Sequence, residues 1–263
     1  MKQSESKNIE DITLYNSRKS AKTNSCNSCF NSCYSYFNSC YSSFRNIIQR
    51  LNIPNNETTE VIVLCSMLSL GLQAFRIVYT GQLLFSFLVW NLFLAFIPLV
   101  LSAKMESWIK QKNKWTVLLL AFAWLLFIPN SFYIITDLFH LDMNQDVPLW
   151  YDLALLLSFA WNGLLFGIVS VRQMEKAIDQ YFNRKFNMLF ILPVMFLNAL
   201  GIYVGRYLRF NSWDVIANPL QLVGDILHLF LHPIRNRFDW SMIVCYAMLM
   251  TVIYLTIKKL AKT

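Results

Sequence analysis

Four polar residues with chemically useful side chains lie in an apolar stretch at helical spacing. Asn130, Tyr133, Asp137 and His140 follow one another at intervals of three, four and three residues. If a helix continues past Pro129, all four side chains point from one helix face. This stripe predicts a polar binding site, and Asp137 with His140 is the one obvious acid–base pair for a reaction.

A second group of polar residues follows a later apolar run. Arg206 and Arg209 are three residues apart, and Asn211 and Asp214 follow within the next five residues. The guanidinium groups could receive a phosphate or carboxylate, with Asn130 and Tyr133 as hydrogen-bonding neighbours. Alternatively they could pair with the carboxylates predicted at the same depth, which belong to Asp137, Asp152 and Asp214, and so hold helices together.

The three histidines could form a binding site for a divalent metal ion. His228 and His232 have the i, i+4 spacing that lets two imidazoles reach one ion. His140 is predicted on the same side of the membrane, and Asp225, Asp137 or Asp152 could add a carboxylate. The alternative is that the histidine pair only anchors a helix at the membrane interface.

The elements that position these residues are apolar and long. Apolar residues make up 56% of the 263-residue chain, charged residues 14%, and the mean hydropathy is +0.41. Six runs are long enough to cross a bilayer, at about 61–79, 83–103, 115–136, 149–171, 187–206 and 240–257. We therefore predict an all-α polytopic bundle of about six spans over residues 56–260, with the lipid bilayer as its partner. Residues 219–232 predict an amphipathic helix, lying on the outer membrane surface or packed as a lid.

The net charge of +8 is distributed by segment. Lys and Arg number seven before the first span, four in 104–114, four in 172–185 and three after the last span, but none in 137–148. The positive-inside rule then places both termini in the cytoplasm, and the pattern argues against nucleic acid as a partner. Arg206, Arg209, Arg235 and Arg237 lie on the opposite, outer side and need another explanation.

The N-terminal segment, residues 1–55, is polar and of low complexity. Asn-Ser-Cys recurs around Cys26, Cys29, Cys33 and Cys40. Four thiols could bind zinc or an iron–sulfur cluster, but their spacing fits neither, so we expect a disordered, reduced cytoplasmic tail. We see no cleavable signal peptide.

Several residues inside the spans also carry expectations. We expect Arg76 to reach the headgroups, Asn91 to bond to a neighbouring helix, and Pro129 to kink or break its helix. The small residues of 163–170 and 201–205 predict close helix contacts. The inner half of the bundle is expected to hold few polar groups.

Three segments together resemble a known family. PNSFYIITDLFHL, WYDLALLLSFAWNGLLFG and GIYVGRYLRFNSWDVIANP are similar to the signatures of bacterial membrane proteins grouped as domain of unknown function 1361. The resemblance covers about residues 65–257 and implies residence in a bacterial plasma membrane, but it names no reaction. The positions that it marks are Pro129, Asn130, Tyr133, Asp137, His140, Asp152, Gly201, Arg206, Arg209, Asn211, Trp213 and Asp214.

Four functions remain open from the sequence. The polar site could bind an anionic small molecule or lipid headgroup, or belong to an enzyme acting on a lipid-linked or phosphorylated substrate. The polar residues could instead only pair helices in a structural or assembly factor, or line the vestibule of a transporter.

Overall fold

The computed structural model describes residues 35, 38–46, 48–49, 56–111, 113–141, 147–182, 187–210 and 217–261. The chain forms two units, residues 1–49 and 50–263. In the first unit, residues 38–46 are helical and Cys40 is an exposed free thiol. Cys26, Cys29 and Cys33 lie outside the described residues, so the disorder and metal hypotheses for this tail stay predictions.

The described part of the second unit is built from helices. In chain order they are α1 (Asn56–Thr80), α2 (Phe87–Lys110), α3 (Lys114–Tyr133), a 3₁₀ helix (Ile134–His140), α4 (Leu149–Phe182), α5 (Asn187–Arg206), α6 (Pro219–Leu231) and α7 (Arg237–Leu260). Among the described residues, six helical segments are long and apolar enough to cross a membrane, and α6 is a shorter apolar helix. The prediction of an all-α polytopic bundle is thus confirmed.

Helix α4 is the centre of this bundle. It has 34 residues and is about 51 Å long at 1.5 Å per residue. Within its apolar 18-residue stretch, 67% of the residues are buried. By contrast, only 17% of the residues in the apolar 18-residue stretch of α7 are buried. Large apolar side chains on the outside, such as Leu64, Phe122 and Leu189, are 60–73% exposed, as expected for a surface that faces lipid.

Small residues allow α3 to lie close to two other spans. A Cβ on Gly163 of α4 would stand 2.6 Å from the Ser131 carbonyl oxygen, and one on Gly167 would stand 2.9 Å from the Phe132 ring. Gly201 of α5 lies equally close to Pro129. The predicted close contacts at these glycines are therefore present, and they fix the position of α3 between α4 and α5.

The two ends of the bundle differ in chemistry. We call the end that holds Asp137, Asp152 and Arg206 the Arg206 end, and the other the Lys258 end. At the Lys258 end, Glu175 of α4 accepts hydrogen bonds from Lys258 and from the Tyr254 hydroxyl of α7.

Farther along α4, the Ser170 hydroxyl lies 3.0 Å from Ser102 and accepts a hydrogen bond of 2.8 Å from Trp124. Ser102 also donates to Gln173 at 2.8 Å. Few polar groups were expected in this half of the bundle, but side chains that look ordinary in the sequence form a buried network there.

Candidate functional site

The change from α-helix to 3₁₀ helix shapes the first polar group. The α-helix continues through Pro129 and ends at Tyr133, so of the kink or break expected at the proline, a break does not occur. The Thr136 hydroxyl donates to the Tyr133 carbonyl oxygen at 2.7 Å, at the start of the 3₁₀ helix. The tighter winding of this 3₁₀ helix sets the directions of the Asp137 and His140 side chains at the end of the span.

Arg206, the last residue of α5, joins three of the four residues of the stripe. Its Nη1 donates to the Tyr133 hydroxyl at 3.3 Å and lies 3.5 Å from Asp137 Oδ1. Its Nη2 donates to the Thr136 carbonyl oxygen at 3.1 Å and lies 3.3 Å from His140 Nδ1. We call Tyr133, Thr136, Asp137, His140 and Arg206 the Arg206 cluster.

These contacts have two chemical consequences. A guanidinium group can only donate and a carbonyl oxygen can only accept, so His140 Nδ1 can hydrogen-bond to Arg206 Nη2 or, in the other tautomer, to the Asp137 main-chain oxygen, but not to both at once. Both Nη atoms of Arg206 already donate to protein acceptors, the Tyr133 hydroxyl and the Thr136 carbonyl oxygen. Arg206 therefore offers an anion less than an isolated surface arginine would.

Asn91 of α2 connects the cluster to a third span. Its Nδ2 donates to Asp137 Oδ2 at 2.9 Å, as the sequence predicted for a bond to a neighbouring helix. Asp137 is 1% exposed, and its Oδ1 has no hydrogen-bond partner among the described residues although Arg206 is near. His140 Nδ1 lies 3.2 Å from the Asp137 main-chain oxygen. The contact between these two residues therefore involves the Asp137 main chain and not its carboxylate.

Asp152 belongs to a different ion pair. At the start of α4, its carboxylate accepts from Arg76 Nε at 2.8 Å and from Nη2 at 3.2 Å. Both side chains are buried, 0% and 1% exposed, and the Phe85 ring lies 4.8 Å from the Arg76 guanidinium. The expectation that Arg76 reaches the headgroups is wrong, because a carboxylate inside the bundle supplies a bidentate partner.

A cavity of about 500 Å³ lies beside the Arg206 cluster, between α2, α3, α5 and α6. Its lining is mostly apolar, and its polar side chains are those of Asn91, Asn130 and Tyr133. Trp90 and Phe122 also line it and are 53% and 61% exposed. The cavity thus has an apolar body next to the lipid-facing surface and a polar edge that touches the Arg206 cluster.

The other predicted site residues lie apart from this cavity. Arg209 is exposed, with a left-handed φ of 60°, and does not join the Arg206 cluster. Asn211, Trp213 and Asp214 lie outside the described residues. The rings of His228 and His232 stack at 4.7 Å and are exposed, and Asp225 is half-buried on the same helix. Within the described ranges no three His, Cys, Asp or Glu residues form a group that could hold a metal ion.

Two of the polar contacts described above were not predicted from the sequence. The Thr136 carbonyl oxygen is a main-chain group, so its residue type gives no signal. Arg76 was noticed as a charge inside a span, but its partner depends on which helices are neighbours, which the sequence does not state.

The helices and their buried polar groups define a multi-pass α-helical membrane protein that contacts the lipid bilayer. Residues 90–256 match the model of the family described as protein of unknown function (DUF1361), and the chain belongs to that family. No curated protein and no solved structure matches the chain.

Proposed function

We propose that this protein binds an anionic amphiphile, a lipid or lipid-linked molecule, within the membrane. The apolar chain of the ligand would occupy the cavity between α2, α3, α5 and α6, and its head would lie at Asn91, Asn130 and Tyr133. The observation that carries the proposal is the cavity of about 500 Å³, a volume within the range of small-molecule sites, beside the lipid-facing surface.

The preference for an anionic head follows from Tyr133. Its hydroxyl oxygen accepts from Arg206, so its own hydrogen remains for an acceptor in the cavity that Tyr133 lines. A phenol that accepts from a guanidinium is polarised and becomes a stronger donor. A phosphate or carboxylate oxygen at this position would feel the charge of Arg206 without displacing its protein partners.

Binding is favoured over catalysis by the placement of the two candidate catalytic residues. Asp137 and His140 lie in the Arg206 cluster, whereas the cavity is lined by their neighbours Asn130 and Tyr133. Asp137 is almost fully buried and already accepts from Asn91. A substrate held in the cavity would therefore meet amide and phenol groups first, which suit recognition better than proton transfer.

Native mass spectrometry of the protein released from its own membrane tests this proposal. We expect a mass adduct of lipid size on the wild-type chain. Leu197→Trp should remove it, because Leu197 lines the cavity and is 39% exposed, so that an indole at this position would occupy space in the cavity. The matched control is Leu189→Trp on the same helix, where the side chain is 73% exposed and away from the cavity.

The variants separate the two halves of the proposal. Tyr133→Phe keeps the ring but removes the hydroxyl, so it should shift the adducts from anionic towards neutral lipids while leaving an adduct in place. Equal adducts on wild type and Leu197→Trp, or bare wild-type and Leu189→Trp proteins, would overturn the cavity as a binding site.

A further inference from the structure

The corner between α6 and α7 is a fixed structural unit. The Asn236 amide donates to the His228 carbonyl oxygen at 3.2 Å, and the Trp240 indole donates to the Leu229 carbonyl oxygen at 3.2 Å. The rings of Phe230 and Trp240 also meet at 5.0 Å. Side chains on this corner are therefore presented in a defined arrangement.

The corner exposes large apolar and basic side chains together. Leu231, Ile234 and Phe238 are 72%, 87% and 74% exposed. His228, His232, Arg235 and Arg237 are exposed beside them. Because the apolar span of α7 begins at Arg237, this corner lies where the bilayer core gives way to the headgroups.

The acidic side chains of this region are directed elsewhere. Asp225 and Asp239 are half-buried and lie near the Tyr203 hydroxyl of α5. None of the ion pairs between described residues uses Arg235 or Arg237, and the Arg237 guanidinium lies 5.0 Å from the Phe238 ring. The exposed part of the corner is consequently positive.

We propose that the α6–α7 corner is a docking surface for anionic phospholipids. Phosphate oxygens accept from Arg235 and Arg237, while Leu231, Ile234 and Phe238 lie among the upper acyl carbons. The histidine pair supplies further N–H donors. This surface gives a reason for arginines on the side of the bundle that the positive-inside rule disfavours. None of these residues lines the cavity, so the inference is independent of the proposed ligand.

A fluorescent probe at the corner tests the inference on the full chain. The six cysteines are replaced by serine, Ile234→Cys is labelled with bimane, and the protein is placed in vesicles of equal parts phosphatidylglycerol and phosphatidylcholine. Two samples are prepared. In one the phosphatidylglycerol carries bromine on its acyl chains, and in the other the phosphatidylcholine does. The ratio of quenching by the anionic lipid to quenching by the zwitterionic lipid reports which one collects at the corner.

We expect this ratio to be at least twofold in the parent protein and close to one in Arg235→Gln/Arg237→Gln. Lys104→Gln/Lys114→Gln removes the same charge at the Lys258 end and should leave the ratio unchanged. A ratio of one in the parent, an unchanged ratio in the arginine variant, or an equal fall in the lysine variant would each overturn the inference. Absence of quenching by both lipids would do the same, since the corner would then lie away from the bilayer.

Discussion

Gly201 of α5 lies directly against Pro129 of α3, so that a Cβ on Gly201 would stand 2.6 Å from Pro129 Cγ and 2.7 Å from its Cβ. The proline ring is rigid and cannot turn away. This contact brings the cavity-lining faces of α3 and α5 together, and it also positions Arg206 five residues later on α5. A small residue and a ring at one crossing point thus set the geometry of the candidate site.

Gly201→Ala should destabilise the protein for this reason. Overpacking of this kind typically costs about 1–3 kcal/mol. The control is Gly205→Ala on the same helix, where an added Cβ meets the Tyr133 ring at an ordinary 3.5 Å. The apparent melting temperature in detergent should fall for Gly201→Ala and change little for Gly205→Ala. Equal melting temperatures for the two variants would contradict the tight contact.

The Arg76–Asp152 pair leads to a second prediction. Arg76→Met leaves a buried carboxylate without its bidentate partner, and breaking such a pair costs about 3–5 kcal/mol. Arg76→Met/Asp152→Leu removes both charges, so it should recover much of that loss. The same melting measurement checks the order of stability, single variant below double variant.

An exposed ion pair provides the control for this experiment. Lys110 and Glu106 form an i, i+4 pair with side chains 72% and 55% exposed. Lys110→Met should change stability by less than about 1 kcal/mol. A double variant at the buried pair that is no more stable than Arg76→Met would show that charge burial is not the cause.

The sequence predicted the spans and their close contacts because both follow from local properties. A run of about twenty apolar residues has few alternatives to a membrane-spanning helix. Gly163, Gly167 and Gly201 predicted close packing because small residues let two helix backbones approach closely. Neither inference needs knowledge of the neighbouring helix.

The pairing of charges could not be predicted in the same way. The sequence predicted that Asp137 and Asp152 lie at the same membrane depth as Arg206. In the structure Asp137 lies next to Arg206, whereas Asp152 forms an ion pair with Arg76. Depth comes from distance along a helix, whereas the partner depends on the lateral order of helices. Phe85 adds a feature that is also invisible in a sequence, since its left-handed φ of 62° is uncommon for an aromatic residue.

Arg206 should not tolerate replacement by lysine. The Arg206 guanidinium reaches the Tyr133 hydroxyl, the Thr136 carbonyl oxygen and His140 from two nitrogen atoms. A lysine ammonium is a compact group on a flexible stem and cannot reproduce this planar arrangement. We expect Arg206→Lys to lower stability by about 1.5–3 kcal/mol, as for lost hydrogen bonds to a charged group.

Arg209→Lys is the matched control, because Arg209 is exposed and lies three residues away. The apparent melting temperatures of the two purified variants in detergent should differ clearly, with Arg209→Lys close to wild type. If Arg206→Lys were as stable as wild type, the Arg206 cluster would not hold α5 to the 3₁₀ helix.

At the Lys258 end, we expect the protein to lose stability when the buried Glu175 carboxylate loses its cationic partner. The Glu175 side chain is 5% exposed and is contacted by the Lys258 ammonium and the Tyr254 hydroxyl. Lys258→Met leaves the carboxylate with the phenol alone, so stability should fall. Glu175→Gln/Lys258→Met removes both charges and should be more stable than Lys258→Met in the same unfolding assay. The reverse order would show that the ammonium does not compensate the buried carboxylate.

The orientation of the bundle is the last prediction. The positive-inside rule places the segment 137–148 outside the cell and the segment 104–114 in the cytoplasm. In a chain with its six cysteines replaced by serine, we introduce either Asn144→Cys or Ser107→Cys. A membrane-impermeant maleimide should label the first variant in intact cells and the second only after the cells are opened. The opposite pattern would reverse the orientation, placing the Arg206 end and the α6–α7 corner at the cytoplasmic surface. The arginines of that corner would then follow the rule, and anionic lipid binding would no longer be needed to explain their position.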